Sequence, residues 1–160
     1  MGLFYSRQEL VAARAAWKSE GKRVVFTNGC YDILHPGHIR LLEQARSLGD
    51  VLILALNSDS SVSRIKGPKR PLIQESDRAQ LAARLEAVDA VTLFDEETPR
   101  ELISVVLPDV LVKGADWSHF VAGREEVEAA GGEVRLIPLE KGYSTTATVE
   151  EIVARRNPAD

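Results

Sequence analysis

Cysteine is almost absent from this sequence. Cys30 stands alone among 160 residues, which excludes an internal disulfide framework and a cysteine-rich zinc site. A surplus of positive charge is missing too: 20 Lys and Arg against 24 Asp and Glu give a formal net charge of -4, so no chain-wide basic field exists to grip duplex nucleic acid. Long apolar runs are lacking. The longest strongly apolar run, Val51 to Leu56, is far too short to span a bilayer, and Met1 to Arg14 carries no apolar core of signal-peptide type. These absences predict a cytoplasmic protein that binds neither nucleic acid nor membrane. Neither a Gly-x-x-x-x-Gly-Lys nor a Gly-x-Gly-x-x-Gly pattern occurs, which disfavours P-loop and dinucleotide enzymes. What is present is ordinary: 44% hydrophobic and 28% charged residues, the composition of one soluble globular domain, with no internal repeat and no linker.

Hydrophobic periods alternate along the chain, and that alternation is the pattern of a parallel α/β sheet. Ser6 with Glu9 three residues on forms a possible capping box that opens a helix running to about Lys18, within an N-terminal helical segment, residues 1–22. Val24 to Thr27 is a β-branched and aromatic run without alternation, as in a strand covered on both faces. A helix follows Pro36-Gly37, with Ile39, Leu42 and Ala45 on one side, and Val51 to Leu56 predicts the next buried strand. The pattern continues with a helix from about Asp77 to Glu86 and a strand at Ala90 to Phe94. A helix from Pro99 to Val106 leads to a strand at Val110 to Lys113. A helix around Glu125 to Ala130, a strand at Val134 to Pro138 and a closing helix within residues 144–160 finish the chain. Five parallel strands are expected in one domain, residues 1–160, with the last residues, Asn157 to Asp160, frayed. Residues 59–76, polar and interrupted by Gly67, Pro68 and Pro71, are expected to form a long mobile loop, and loops of that length are usually functional.

Two of the three histidines lie in one unit, His35-Pro36-Gly37-His38, between a buried strand and the helix after it. In an open α/β sheet, ligands bind beyond the carboxyl ends of the strands where strand order reverses. A helix starting near Gly37 points unpaired N–H groups and its positive dipole end at that crevice, which favours a phosphate. Gly37 removes a side chain where a ligand would approach, and two imidazoles add further donors. A zinc site from Asp32, His35 and His38 is the competing reading; Pro36-Gly37 breaks the geometry that would align them, and no fourth ligand is evident. His119 is given no role.

The stretch from Thr27 to His38 resembles the first motif of the cytidylyltransferase-like nucleotidyltransferases, whose His-x-Gly-His unit binds a nucleoside triphosphate. Gly142-Tyr143-Ser144-Thr145-Thr146 resembles the second. Leu56-Asn57-Ser58-Asp59, Lys66-Gly67, Arg70-Pro71, Asp77-Arg78 and Leu107 to Gly114 are similar to the branch that adenylates D-glycero-β-D-manno-heptose 1-phosphate in ADP-heptose synthesis. In that branch the domain stands alone or is fused to a sugar kinase, and the length here is similar to the stand-alone form. Cys30-Tyr31 and Ala115-Asp116-Trp117 depart from its pattern, and Asp-Trp at the latter place is found in glycerol 3-phosphate cytidylyltransferases.

The resemblance implies a Rossmann-like three-layer fold and transfer of AMP from ATP, with Mg²⁺, to a sugar 1-phosphate, releasing pyrophosphate. It also implies a homodimer, and a separate sugar kinase upstream. The alternatives are a cytidylyltransferase using CTP and glycerol 3-phosphate, or a non-catalytic nucleotide-binding module on the same fold. His35, His38 and Lys66 are then the catalytic candidates. Thr27, Asn28, Gly29, Gly37, Lys113, Gly114, Asp116, Ser144, Thr145 and Thr146 are the nucleotide contacts. Asp32, Asn57, Asp59, Arg70, Arg78 and Trp117 are the substrate contacts, with Asp32 also a candidate to orient Mg²⁺ and no dedicated metal site. For several of these the alternative is structural: Asp32 as a turn cap, Ser144 to Thr146 as a helix cap, Arg78 paired with Glu75 or Asp77, and Trp117 in the core.

Overall fold

The computed structural model describes residues 1–156. Strands and helices alternate: β1 Leu3–Phe4, α1 Arg7–Ser19, β2 Val24–Gly29, α2 Pro36–Arg46, β3 Val51–Asn57, α3 Asp59–Lys66, α4 Glu75–Ala83 and β4 Ala90–Phe94. Then come α5 Arg100–Val106, β5 Val110–Gly114, a 3-10 turn Ala115–Trp117, α6 Arg124–Ala129, β6 Glu133–Ile137 and α7 Thr145–Arg156. The strands are all parallel and lie in the order β1-β4-β3-β2-β5-β6.

The central strands read as continuous apolar runs because both of their faces are covered. Leu10, Phe26, Ile53, Leu102, Ile103 and Val127 pack on one side of the sheet, under α1, α5 and α6. Val25, Leu42, Leu54, Ala79, Val91 and Val112 pack on the other, under α2 and α4. The three-layer α/β architecture is therefore as the alternation predicts. No helix among the described residues is long and apolar enough to cross a membrane.

Two expectations are corrected. The sheet has six strands rather than five; β1 is two residues long, with Leu3 and Phe4 more than half exposed, too short to carry a period. Residues 59–76 are not one long loop. Ser58 caps α3 by accepting from Ser61 N at 3.1 Å, and Ser61 and Val62 are fully buried. Only residues 67–74 are irregular, and Glu75 opens α4 while its carboxylate accepts from Asp59 N at 2.7 Å, at the start of α3. The capping box at Ser6 and Glu9 is present. The expected fraying of Asn157 to Asp160, and the last four residues of the 144–160 helix, lie outside the described residues.

Chain order reverses at β2, whose neighbours are β3 on one side and β5 on the other. The β2–β5 ladder stops at Phe26 opposite Leu111; beyond it the Thr27 hydroxyl donates to the Val112 carbonyl at 3.1 Å. The carboxyl ends of the two strands thus separate, and a crevice opens where a ligand site is expected in such a sheet.

Candidate active site

A cavity of 200 Å³ occupies that crevice. Thr27, Asn28 and Gly29 from the end of β2 and Lys113 and Gly114 from the end of β5 line it. Asp116 and Trp117 from the 3-10 turn, His38 from α2, Lys66 from the end of α3, Arg70, Asp32 and Thr145 close the sides. Twelve of the nineteen residues singled out in the sequence therefore meet in one place. His35, Gly37, Asn57, Asp59, Arg78, Ser144 and Thr146 do not line it.

The two histidines cap the helix that carries them. His38 N donates to His35 Nδ1 and His35 N donates to His38 Nδ1, each at 3.3 Å. Both Nδ1 atoms are acceptors, so each neutral ring carries its proton on Nε2. The rings stack at 3.7 Å and 15°, with Tyr31 against His38 at 4.7 Å and Tyr143 against His35 at 5.8 Å. Burial pushes His38 down to about 4, helped by the charges of His35 and Lys66, and burial also lowers His35. Near neutrality both rings are uncharged N–H donors. His35 itself faces an adjoining groove with Arg40 and Glu43. Gly37 serves the stack: a Cβ there would lie 3.1 Å from the His35 ring and from Tyr143 Cβ, so that space belongs to the protein and not to a ligand.

The cationic groups are disposed differently. Burial lowers Lys113 to about 8 while Asp116 and Cys30 pull the other way, and its Nζ lies 5.7 Å from the centre of the Trp117 ring. Arg70 donates from Nε to Asp32 Oδ2 at 2.6 Å, and its Nη2 is buried without a partner among the described residues. Gly114 is required by crowding, since a Cβ would come within 2.6 Å of Asp116 Oδ1 and 2.9 Å of Leu139.

Asp32, expected as a substrate or Mg²⁺ contact, lies in the cavity wall and is an acceptor for the protein's own groups. Its oxygens take up Arg70 Nε, Leu72 N and Ile73 N. Burial works to raise this carboxyl, yet the two amides and the guanidinium outweigh it and hold it below its ordinary value. Arg78 is corrected likewise: its side chain is fully buried and donates to Ile73 O at 2.9 Å, Cys30 O at 2.7 Å, Asn57 O at 2.8 Å and Asp59 Oδ1 at 2.8 Å. Neither Glu75 nor Asp77 is its partner. Asn57 donates to Ser61 Oγ at 3.0 Å, so the buried Asn57 and Arg78 form a network behind the cavity that ends on the half-exposed Asp59. Ser144 accepts from Ala147 N at 3.3 Å and Thr145 donates to Ile33 O at 3.1 Å, while Thr146 is exposed.

Cys30, Tyr31, Leu41 and Leu139 line the cavity without having been singled out, and Tyr143 stacks outside it. The signal for the two tyrosines was their place inside the quoted motifs. No three His, Cys, Asp or Glu side chains converge in metal-binding fashion among the described residues. Asp116 is the cavity-wall carboxylate whose oxygens Arg70, Leu72 and Ile73 do not occupy.

The model of the family described as cytidylyltransferase-like matches residues 26–151. The chain belongs to this family. It is a nucleotidyltransferase, and the histidine pair, the β2–β5 crevice and the start of α7 all lie in the matched span. Among curated relatives, the bifunctional protein HldE of Bradyrhizobium sp. strain ORS 278 is 57% identical over 143 residues, 89% of this chain and 29% of that protein. The HldE of Azorhizobium caulinodans is 54% identical over 149 residues, 92% of this chain and 31% of that protein. The chain thus spans about a third of the curated relatives it matches. A lipopolysaccharide core biosynthesis protein from Thermoplasma volcanium has a TM-score of 0.62 at 31% identity, covering 78% of this chain and all of that one. Pantoate-beta-alanine ligase from Francisella tularensis shares the fold, with a TM-score of 0.65 at 14% identity over this whole chain and 80% of that one.

Proposed function

We propose that this nucleotidyltransferase moves AMP from ATP to D-glycero-β-D-manno-heptose 1-phosphate, giving ADP-heptose and pyrophosphate. The observation that carries the reaction type is the reciprocal His35–His38 pairing at the switch-point cavity, which leaves His38 in the cavity wall as a neutral Nε2–H donor, with His35 stacked behind it. An acceptor phosphate oxygen attacks the α-phosphorus of ATP, a new P–O bond forms, and the bond to the bridging oxygen breaks with its electron pair leaving on pyrophosphate. No protein nucleophile takes part. Catalysis is alignment plus stabilisation of charge on the α-phosphate oxygens. Removing one such preorganised donor typically costs about 100- to 1000-fold in kcat.

Lys66, Arg70 and Lys113 neutralise the remaining phosphate charge, and the wide, flat Trp117 ring offers a surface for base or sugar. Mg²⁺ fits this donor set through Asp116 together with the triphosphate oxygens, and it would supply charge neutralisation when bound. Thr145, at the start of α7, lines the cavity while its hydroxyl donates to Ile33 O. The acceptor assignment is supported by the segments similar to heptose 1-phosphate adenylyltransferases and by the likeness to HldE proteins and to a protein of lipopolysaccharide core biosynthesis. The same reading includes a sugar kinase upstream, a homodimer and a cytoplasmic setting.

Asp116-Trp117 at the cavity favours one second reading, a cytidylyltransferase acting on glycerol 3-phosphate. Product analysis by mass spectrometry, with ATP or CTP offered against heptose 1-phosphate or glycerol 3-phosphate, separates the two. ADP-heptose from ATP is expected; turnover with CTP alone overturns the assignment, and nucleotide binding without any product supports a non-catalytic module.

A further inference from the structure

Residues 67–74 run as a strap from α3 to α4, and the backbone of this strap is fixed from several directions. Ser63 Oγ donates to the Arg70 carbonyl at 2.6 Å. Leu72 N and Ile73 N each donate to Asp32 at 2.9 Å. From behind, Arg78 Nε holds the Ile73 carbonyl at 2.9 Å while its other nitrogens bind Cys30 O just past β2, Asn57 O at the end of β3 and Asp59 in α3. What these bonds leave open is the direction of the Arg70 side chain. Asp32, itself only 2% exposed, settles it by accepting from Nε at 2.6 Å. A guanidinium is a rigid planar fork, so gripping Nε sets the plane of the whole group. One consequence is visible: Nη2 is buried, has no hydrogen-bond partner among the described residues and belongs to a residue of the cavity wall. A buried guanidinium nitrogen that no protein acceptor meets is suited to a phosphate oxygen, an anionic acceptor for its N–H groups.

We propose that Asp32 is a positioning residue for nucleotidyl transfer, orienting Arg70 through Nε so that its second nitrogen is held ready for a phosphate oxygen of the substrates. The inference rests on the nucleotidyl-transfer reading of the same cavity. Asp32 acts through Arg70 and touches neither substrate nor metal, because both of its oxygens are already engaged by the protein.

A double-mutant cycle tests this. The variants Asp32→Asn, Arg70→Ala and the double are compared in kcat and KM for ATP and for the sugar phosphate, with circular dichroism and urea midpoints as folding controls. Asp32→Asn is expected to lower kcat/KM by about 100-fold, the usual effect of displacing a catalytic group by an ångström. The double variant is expected to match Arg70→Ala within about twofold. Losses that multiply in the double variant, or wild-type kinetics in Asp32→Asn, overturn the proposal. Should Asp32→Asn not fold, Arg70→Lys takes its place: a lysine keeps the charge and reaches Asp32 but has no second nitrogen, so a loss equal to that of Arg70→Ala is expected and full activity refutes the assignment. If the wild type releases no pyrophosphate with any nucleotide and acceptor, the reaction assignment fails on its own. The cycle is then read from the Kd for inorganic pyrophosphate by calorimetry, where the same non-additivity is expected and additive losses refute it.

Discussion

At the scale of single residues, two backbone N–H groups decide what the histidines can do. By donating to Nδ1 of each ring they leave the proton on Nε2, and burial keeps the rings uncharged. A lowered pKa means that the unfolded chain takes up protons first as pH falls. Between the ordinary value of 6.5 and about 4, the unfolded state therefore binds more protons than the folded one, and stability falls with pH across that window. The urea midpoint at pH 5 is expected below that at pH 7, with a smaller difference in His38→Gln; equal midpoints at the two pH values in the wild type would contradict the neutral pair. The histidine unit was legible in the sequence because two of the three histidines flank one Pro-Gly pair between a buried strand and the helix after it. The parts played by Asp32 and Arg78 were not, since residue type does not disclose partners: Asp32 meets Arg70, Leu72 and Ile73 from 38 to 41 positions away. Arg78 has the chemistry of a phosphate ligand, but burial and four protein acceptors commit it to the network behind the cavity.

At the scale of elements, α3 carries Lys66 and ends where the strap begins. Val62 is its one fully buried large apolar residue, too sparse a stripe to register as a helical period beside two prolines and a glycine. Ser58 was the available signal, as a helix cap. Gly67 makes the exit from the helix at φ 97° and ψ 166°, a region open to glycine alone. A Cβ there would meet nothing within 4 Å, so the cost of a side chain is backbone strain and not crowding. Gly67→Ala is expected to lower stability by about 1–3 kcal/mol in urea titration, and to raise KM by displacing Lys66 and Arg70. A variant as stable as the wild type would mean that the strap relaxes freely and does not set these two side chains. The strand β1 escaped the sequence reading for a simpler reason, since two exposed residues cannot show a pattern.

At the scale of the whole molecule, alternation of the two hydrophobic periods was enough to give a parallel sheet in three layers, and with it the end of the sheet where a ligand binds. Where strand order reverses could not be read from alternation; the structure places it between β2 and β5. The net charge of -4 belongs to the surface as a whole, while His38, Lys66, Arg70 and Lys113 present N–H donors and positive charge to one 200 Å³ cavity. A small polyanion responds to that local field and not to the chain average. The central question is whether this cavity, with the neutral His38 ring in its wall, transfers a nucleotidyl group. The most direct test is steady-state pyrophosphate release from ATP and heptose 1-phosphate by the wild type and His38→Ala, with the nucleotide Kd measured alongside. Turnover in the wild type and a loss of about 100-fold or more in kcat, with folding and nucleotide binding retained, is predicted. Unchanged turnover in His38→Ala, or a wild type that binds ATP and releases no pyrophosphate with any acceptor, would contradict it.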